Sequence, residues 1–273
     1  MARWILVMVL TAVVHLVTTL AASVRLAGVR TGRLATAGAL FSVVSIASQT
    51  ANTIQAPFLT KMAEELITTY HGTAAWPARV AAMNLQFRWV LGAAVLGTVL
   101  GMLLTPTFVN VFTRTILRFE QEGSVPRLLL AAASPSATRA VAASLAWPRP
   151  ALITEARRAH IPKRLMLLNV AIVAAFTTGV VSAIWAGVMA PSLRGTASNL
   201  SGIVNGIGTI LLALIVDPAA SLIADQALRG DRPEDDVKAL TVWLEFTRLA
   251  GTVLAQFLFV PGAWLIAQVA RFI

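Results

Sequence analysis

Apolar residues in this chain come in long runs whose polar interruptions follow a helical period, not the alternation of a strand. Six runs are long enough to cross a hydrocarbon core of roughly 30 Å as helices: residues 2–24, 34–56, 87–110, 165–190, 200–224 and 240–268. The first two are not apolar all round. In the first, Thr11, His15, Thr18, Ala22 and Arg25 recur at i, i+4, i+7, i+11 and i+14. In the second, Gly38, Ser42, Ser45, Gln49 and Asn52 keep the same spacing, with Ser48 and Gln55 on the flank. At 100° per residue each set falls in one arc. Polar groups are costly in hydrocarbon, so each stripe is expected to face protein or water. The join between the runs, R-L-A-G-V-R-T-G-R over 25–33, holds Arg25, Arg30 and Arg33.

The connection over 57–86 begins with Pro57, which is expected to end the second span, and continues as a short amphipathic helix from Lys61 to Tyr70. Glu64 and Glu65 fit the wet face of that helix, and His71 an ordinary loop. Gly92, Gly97 and Gly101 in the third span are spaced for close helix contact. Beyond its inner end, T-P-T-F-V-N at 105–110, residues 111–164 form the longest polar stretch, basic and divided by Pro126, Pro135, Pro148, Pro150 and Pro162. This composition predicts interfacial helices on an anionic leaflet. No second histidine or carboxylate stands at ligand spacing from His160, so no metal is expected.

In the fifth span Gly202, Gly206, Ala213 and Asp217 share a face, flanked by Ser201 and Asn205. Gly202-x-x-x-Gly206 predicts close backbone approach, and Asp217-Pro218 predicts a break in the helix. Two readings stand for Asp217: a functional intramembrane carboxylate, or a structural one that caps the break or pairs with an arginine. G-I-V-N-G-I-G has glycine density like a nucleotide loop, but no strand precedes it. The acidic loop 225–238 fits a solvated turn capping the sixth span. Within that span Glu245 and Arg248 stand at i, i+3 and are expected to form an ion pair a turn or two below the surface.

Composition reinforces the membrane reading: 57% of residues are hydrophobic and 12% charged, with a mean hydropathy of +0.77. The expected fold is an all-α polytopic membrane protein, one transmembrane domain over residues 1–273. With no cysteine, disulfides and thiolate chemistry are excluded. A net charge of +10 would suggest nucleic acid in a soluble protein; here its distribution reports topology. With the N-terminus outside, inner loops carry fifteen of the 22 Lys and Arg residues and outer segments six, Arg248 being the remaining one. The positive-inside rule therefore puts both termini outside. Arg3, an apolar run and Ala21-Ala22-Ser23 mimic a signal peptide, but the run is long and His15 interrupts it.

Several stretches carry a family resemblance: H-L-V-T-T-L-A-A-S-V-R-L-A-G-V-R-T-G-R-L-A at 15–35, S-Q-T-A-N-T-I-Q-A-P at 48–57, L-T-P-T-F-V at 104–109, I-P-K-R-L at 161–165, T-A-S-N-L-S-G-I-V-N-G-I-G-T-I-L-L at 196–212 and the D-P of 217–218. In this order, across the whole chain, they resemble the Amj-type lipid II flippases, the family described as the alternate to MurJ. The chain departs from that pattern at Thr18, where the family has an acidic residue, and at Gln49, where an arginine often stands. The resemblance implies a bacterial cytoplasmic-membrane protein that moves undecaprenyl-diphosphate-linked peptidoglycan precursor outward.

The residues agree with that expectation. A polar groove would carry a sugar-rich diphosphate headgroup past hydrocarbon, with His15, Gln49, Asn52, Gln55, Asn205 and Asp217 as its wall and Arg25, Arg30 and Arg33 gathering the diphosphate at the inner mouth. The basic inner loops would attract anionic lipids. No P-loop is present, so no ATPase drives the cycle, and no cofactor is called for. Two other classes remain open: a transporter of another polyprenyl-linked glycolipid or a small solute, and a membrane enzyme acting on prenyl phosphates. Three histidines, none near a paired acid, support the last poorly.

Overall fold

A computed structural model describes residues 2–122, 139 and 141–273. Expectations that concern residues 123–138 and 140, including Pro126, Arg127 and Pro135, lie outside the described residues. Within them, the regular elements are helices: α1 (Ala2–Thr31), α2 (Leu34–Tyr70), α3 (Trp76–Glu122), α4 (Ala151–Arg158), α5 (Lys163–Met189), α6 (Arg194–Leu211), α7 (Asp217–Leu228) and α8 (Glu234–Phe272). A five-residue π-helical turn, Leu212–Val216, joins α6 to α7. The six helical stretches long and apolar enough to span a membrane are α1, α2, α3, α5, α8 and the run from Pro191 to Leu228.

Backbone chemistry explains why these helices outrun the apolar segments. Pro57 does not end α2, and Pro106 and Pro261 sit inside α3 and α8. Each proline forfeits one backbone hydrogen bond. Ending the helix inside hydrocarbon would forfeit several, with no water to replace them. The expected amphipathic helix from Lys61 to Tyr70 is therefore the continuation of α2, and 111–122 the continuation of α3. The real stops are glycine turns. Gly32 has φ +72°, its N–H bonds Val29 at 3.1 Å and the Arg33 N–H bonds Gly28 at 2.9 Å. Gly230, with φ +81°, closes α7 in the same way through Ala227 and Gln226. This is a left-handed cap that only glycine adopts without strain. The acidic first turn of α8, Glu234 to Asp236, complements the positive end of the helix dipole.

The helices pack as two groups of three. α1 lies against α2 and α3, and α5 lies against α6 and α8. α3 and α1 meet α8, and α2 meets α5, to join the groups. α2 and α6 lean on their own partners and not on each other. Close approach is made where small residues permit it. A Cβ on Gly97 would collide with the Ala12 backbone, one on Gly101 with Thr19, and one on Gly251 with Val173 and the Val170 carbonyl. The expected Gly202–Gly206 contact is not made: both have open space beside them, while Gly179 and Gly208 are the tight positions between α5 and α6. At the end where α1 begins, Trp4, Phe87, Trp185 and Phe259 stack edge-on and tilted around the buried Phe87.

The segment following the undescribed residues is strapped back onto α3. Thr107 Oγ1 donates to the Ala146 carbonyl and accepts from its N–H, both at 3.0 Å. Arg114 donates to Ser144 Oγ at 2.9 Å. α4 rests on α8, where Trp243 Nε1 donates to the Ala156 carbonyl at 2.9 Å.

The α1–α3 crossing yields a direct test. Gly97→Leu forces α1 away and should destabilise the protein by about 1–3 kcal/mol, the usual cost of overpacking. Gly92→Leu, entering open space, should leave the thermal midpoint in detergent within a degree or two of wild type. Equal midpoints for the two variants would contradict this packing.

Candidate functional site

Between the two groups of helices lies a cavity of about 400 Å³. The full polar stripe of α1 lines it: Thr11, His15, Thr18, Ala22 and Arg25. Thr11 to Arg25 is fourteen residues on one helix, so the cavity follows about 20 Å of α1. The α2 stripe supplies Ser42, Ser45, Gln49 and Asn52, with Ser48 and Gln55 from its flank. Asn169 and Thr177 come from α5, Thr209 from α6, Asp217 from α7, and Glu245 and Arg248 from α8.

The cavity is not sealed. Ser42, Gln49, Thr209 and Ala213 line it and are exposed. These residues belong to α2 and to the α6–π-turn segment, the two elements that do not pack together, and the opening between them is lateral. Gln49 and Asn52 thus border the cavity instead of sitting in dry helix contacts. Deeper in, Gln55 is buried at 6% exposure and Ser48 at 5%.

Charge is concentrated at one level. Arg25 donates to Asp217 in an ion pair whose side chains retain 15% and 28% exposure. The Arg25 guanidinium also stacks over Phe41, 4.6 Å from the ring centroid. This pair fastens α1 of the first group to α7 of the second, immediately after the π-helical turn. That turn widens the helix by one residue and delivers Asp217 to the cavity wall. Of the two readings of Asp217, pairing with an arginine is the arrangement found.

The other charged pair is rearranged. Glu245 and Arg248 do not form the expected ion pair: the Glu245 carboxylate, 6% exposed, takes the Thr105 hydroxyl of α3. Arg248 feels Asp217, Glu245 and Arg25 through space, but makes no hydrogen bond or ion pair among the described residues. A neighbouring helix thus offered Glu245 a partner that spacing along one helix could not reveal. Along α8 the two residues stand three to four turns from its first residue, Glu234.

Of the residues expected along the groove and at its inner mouth, three do not line the cavity. Arg30 donates to Glu234 at 3.0 Å, half-exposed at the helix ends. Arg33 is the N-cap of α2. Neither lines the cavity, so Arg25 alone of the three reaches it. Asn205 faces α5: its Oδ1 lies where a Cβ on Gly179 would stand, buried without a hydrogen-bond partner among the described residues. Asn169 was legible only as a scattered polar residue. It ties α5 to α8 by donating to Thr247 Oγ1 at 2.8 Å and the Leu244 carbonyl at 3.2 Å. His15 faces the cavity with Nδ1 buried and likewise unpartnered.

The arrangement is a chamber with largely apolar walls, Val90, Leu91, Phe176 and Leu244 among them, set with two guanidinium groups, two carboxylates, an imidazole, amides and hydroxyls. It offers no nucleophile–base pairing and suits binding by charge-assisted hydrogen bonds. If Arg25–Asp217 fastens the groups together, the variants Arg25→Gln and Asp217→Asn should be non-additive. A double-mutant cycle on thermal stability in detergent should give a coupling of about 1–3 kcal/mol. Additive losses would remove the fastening role.

Comparison with known proteins gives two matches. The family model described as "Amj: Alternate to MurJ" matches residues 10–270. The chain is also 36% identical over 259 residues to "Lipid II flippase Amj" of Bacillus subtilis (strain 168), covering 94% of this chain and 93% of that protein. No solved structure matches.

Proposed function

From the premise that this chain belongs to the Amj family, we propose that it is a lipid II flippase, a transporter and not an enzyme, of the bacterial cytoplasmic membrane. The observation that carries the reading is the laterally open cavity, set with charged and polar side chains on largely apolar walls, among six apolar helices. Lipid II pairs a prenyl tail at home in hydrocarbon with a diphosphate, two sugars and a peptide that are not. A chamber opening sideways between α2 and α6 lets the tail stay in lipid while the headgroup exchanges water for protein donors and acceptors. The headgroup is larger than a cavity of about 400 Å³, so transport requires α2 and α6 to separate further. These helices bear the fewest contacts across the groups, and such elements move first.

The cytoplasmic leaflet supplies the substrate, and the charge distribution matches. Arg25, Arg30 and Arg33 at the α1–α2 join, with described basic residues such as Arg114, Arg157, Arg158, Lys163 and Arg164, supply the inner positive charge that would concentrate anionic lipid. Both termini then lie outside. A cysteine at exposed Thr73 should react with an impermeant maleimide in intact cells. One at exposed His160 should react only after permeabilisation. The reverse pattern would invert the topology.

The decisive experiment reconstitutes the purified protein into liposomes with fluorescent lipid II, with and without an imposed ion gradient. Outward exposure of lipid II above protein-free liposomes is the expected result, and its absence under every gradient would favour a solute transporter. Asn52→Leu should cut the flipping rate at least tenfold while leaving insertion and thermal midpoint unchanged, because it takes from the wall an amide for which no hydrogen bond to the described residues is found.

A further inference from the structure

Arg248 is the cavity cation whose counter-charge is committed elsewhere. It lies three to four turns into α8, where a guanidinium without a partner is costly. Two carboxylates are near enough to act on it, Asp217 and Glu245. Asp217 is held by Arg25 of α1, and Glu245 by the Thr105 hydroxyl of α3. The Arg248 guanidinium lines the cavity with no hydrogen bond or ion pair among the described residues. On the α1 wall, Nδ1 of His15 is buried without a partner, whereas the Arg248 side chain is only partly buried. One chamber is thus bordered by a buried imidazole nitrogen without a partner and by a partly accessible guanidinium with donors to spare, and acceptor atoms of a ligand are the natural complement of the latter.

We propose that Arg248 anchors the diphosphate of the transported lipid, and that Asp217 holds Arg25 in reserve as the second anchor. The proposal rests on the flippase reading and names the residues that recognise its substrate. A diphosphate diester carries two negative charges and presents non-bridging oxygens in pairs, the geometry that a planar guanidinium fork binds bidentately. Arg248 offers that fork immediately. Arg25 becomes the second when the diphosphate displaces the Asp217 carboxylate, so that two guanidinium groups neutralise two charges. Phe41 beneath Arg25 keeps the released group aimed at the cavity. Asp217 is then an internal competitor for the substrate's site. Because Arg25–Asp217 also joins α1 to α7, loading the diphosphate loosens a tie between the two groups of helices. Arg30 and Arg33, outside the chamber, act only on delivery.

The test uses the full chain in nanodiscs, with fluorescent lipid II as one probe and farnesyl diphosphate as a minimal prenyl diphosphate. Arg248→Gln should weaken binding of both probes at least tenfold. Arg248→Lys, which keeps the charge and loses the fork, should recover only part. Asp217→Asn should tighten binding several-fold, since the competitor is gone. Thermal midpoints of the unloaded variants identify any that fail to fold, and Arg248→Lys keeps the test open if Arg248→Gln is such a case. Wild-type binding by both Arg248 variants, with lipid II still flipped by the native protein, overturns the anchor and leaves the flippase reading intact. Weaker binding by Asp217→Asn overturns the competitor role. Arg248-dependent binding of farnesyl diphosphate without lipid II flipping would keep the anchor and remove the flippase reading.

Discussion

A polar group cannot be abandoned in hydrocarbon, and this one constraint arranges the molecule. Backbone groups obey it by staying in helices straight through Pro57, Pro106 and Pro261. Hydroxyls obey it locally: Thr11, Thr98, Thr178 and Thr252 each donate to a carbonyl three or four residues back on their own helix. Amides and charges need partners on other helices or water. Where protein supplies them, as Thr247 does for Asn169 and Thr105 for Glu245, helices are tied together. Where it does not, the chain opens a chamber. The cavity collects both internally paired groups, such as Arg25 and Asp217, and groups with capacity to spare, such as His15 and Arg248.

Its position follows from the packing. Small residues on α1, α3, α5 and α8 let these four helices approach closely. α2 and α6 do not pack on each other, so their facing sides border the gap. The elements fall into two classes: a tight centre of four helices, and two outer helices, α2 and α6, that border the cavity. The π-helical turn at Leu212–Val216 belongs to the second class, since it re-aims Asp217 at the boundary of both.

The sequence alone determined which segments cross the membrane, because twenty apolar residues have little choice of solvent. It also determined which faces of α1 and α2 border the cavity, because helical periodicity is a local property and the cost of a misplaced polar stripe leaves one solution. What it left open is partner choice. Gly202-x-x-x-Gly206 shows that a backbone could approach, yet the approach occurs at Gly179 and Gly208, since the rotation of α6 is set by the whole α5 surface. Asn205 turned toward α5 for the same reason. Glu245 and Arg248 are neighbours on one helix and still separate, because Thr105 arrives from a residue 140 positions away and Arg25 takes Asp217 across 192. Long-range pairing decides which charges are neutralised and which remain available, and only the tertiary structure could turn Arg248 from an expected half of a salt bridge into the cation that faces the chamber.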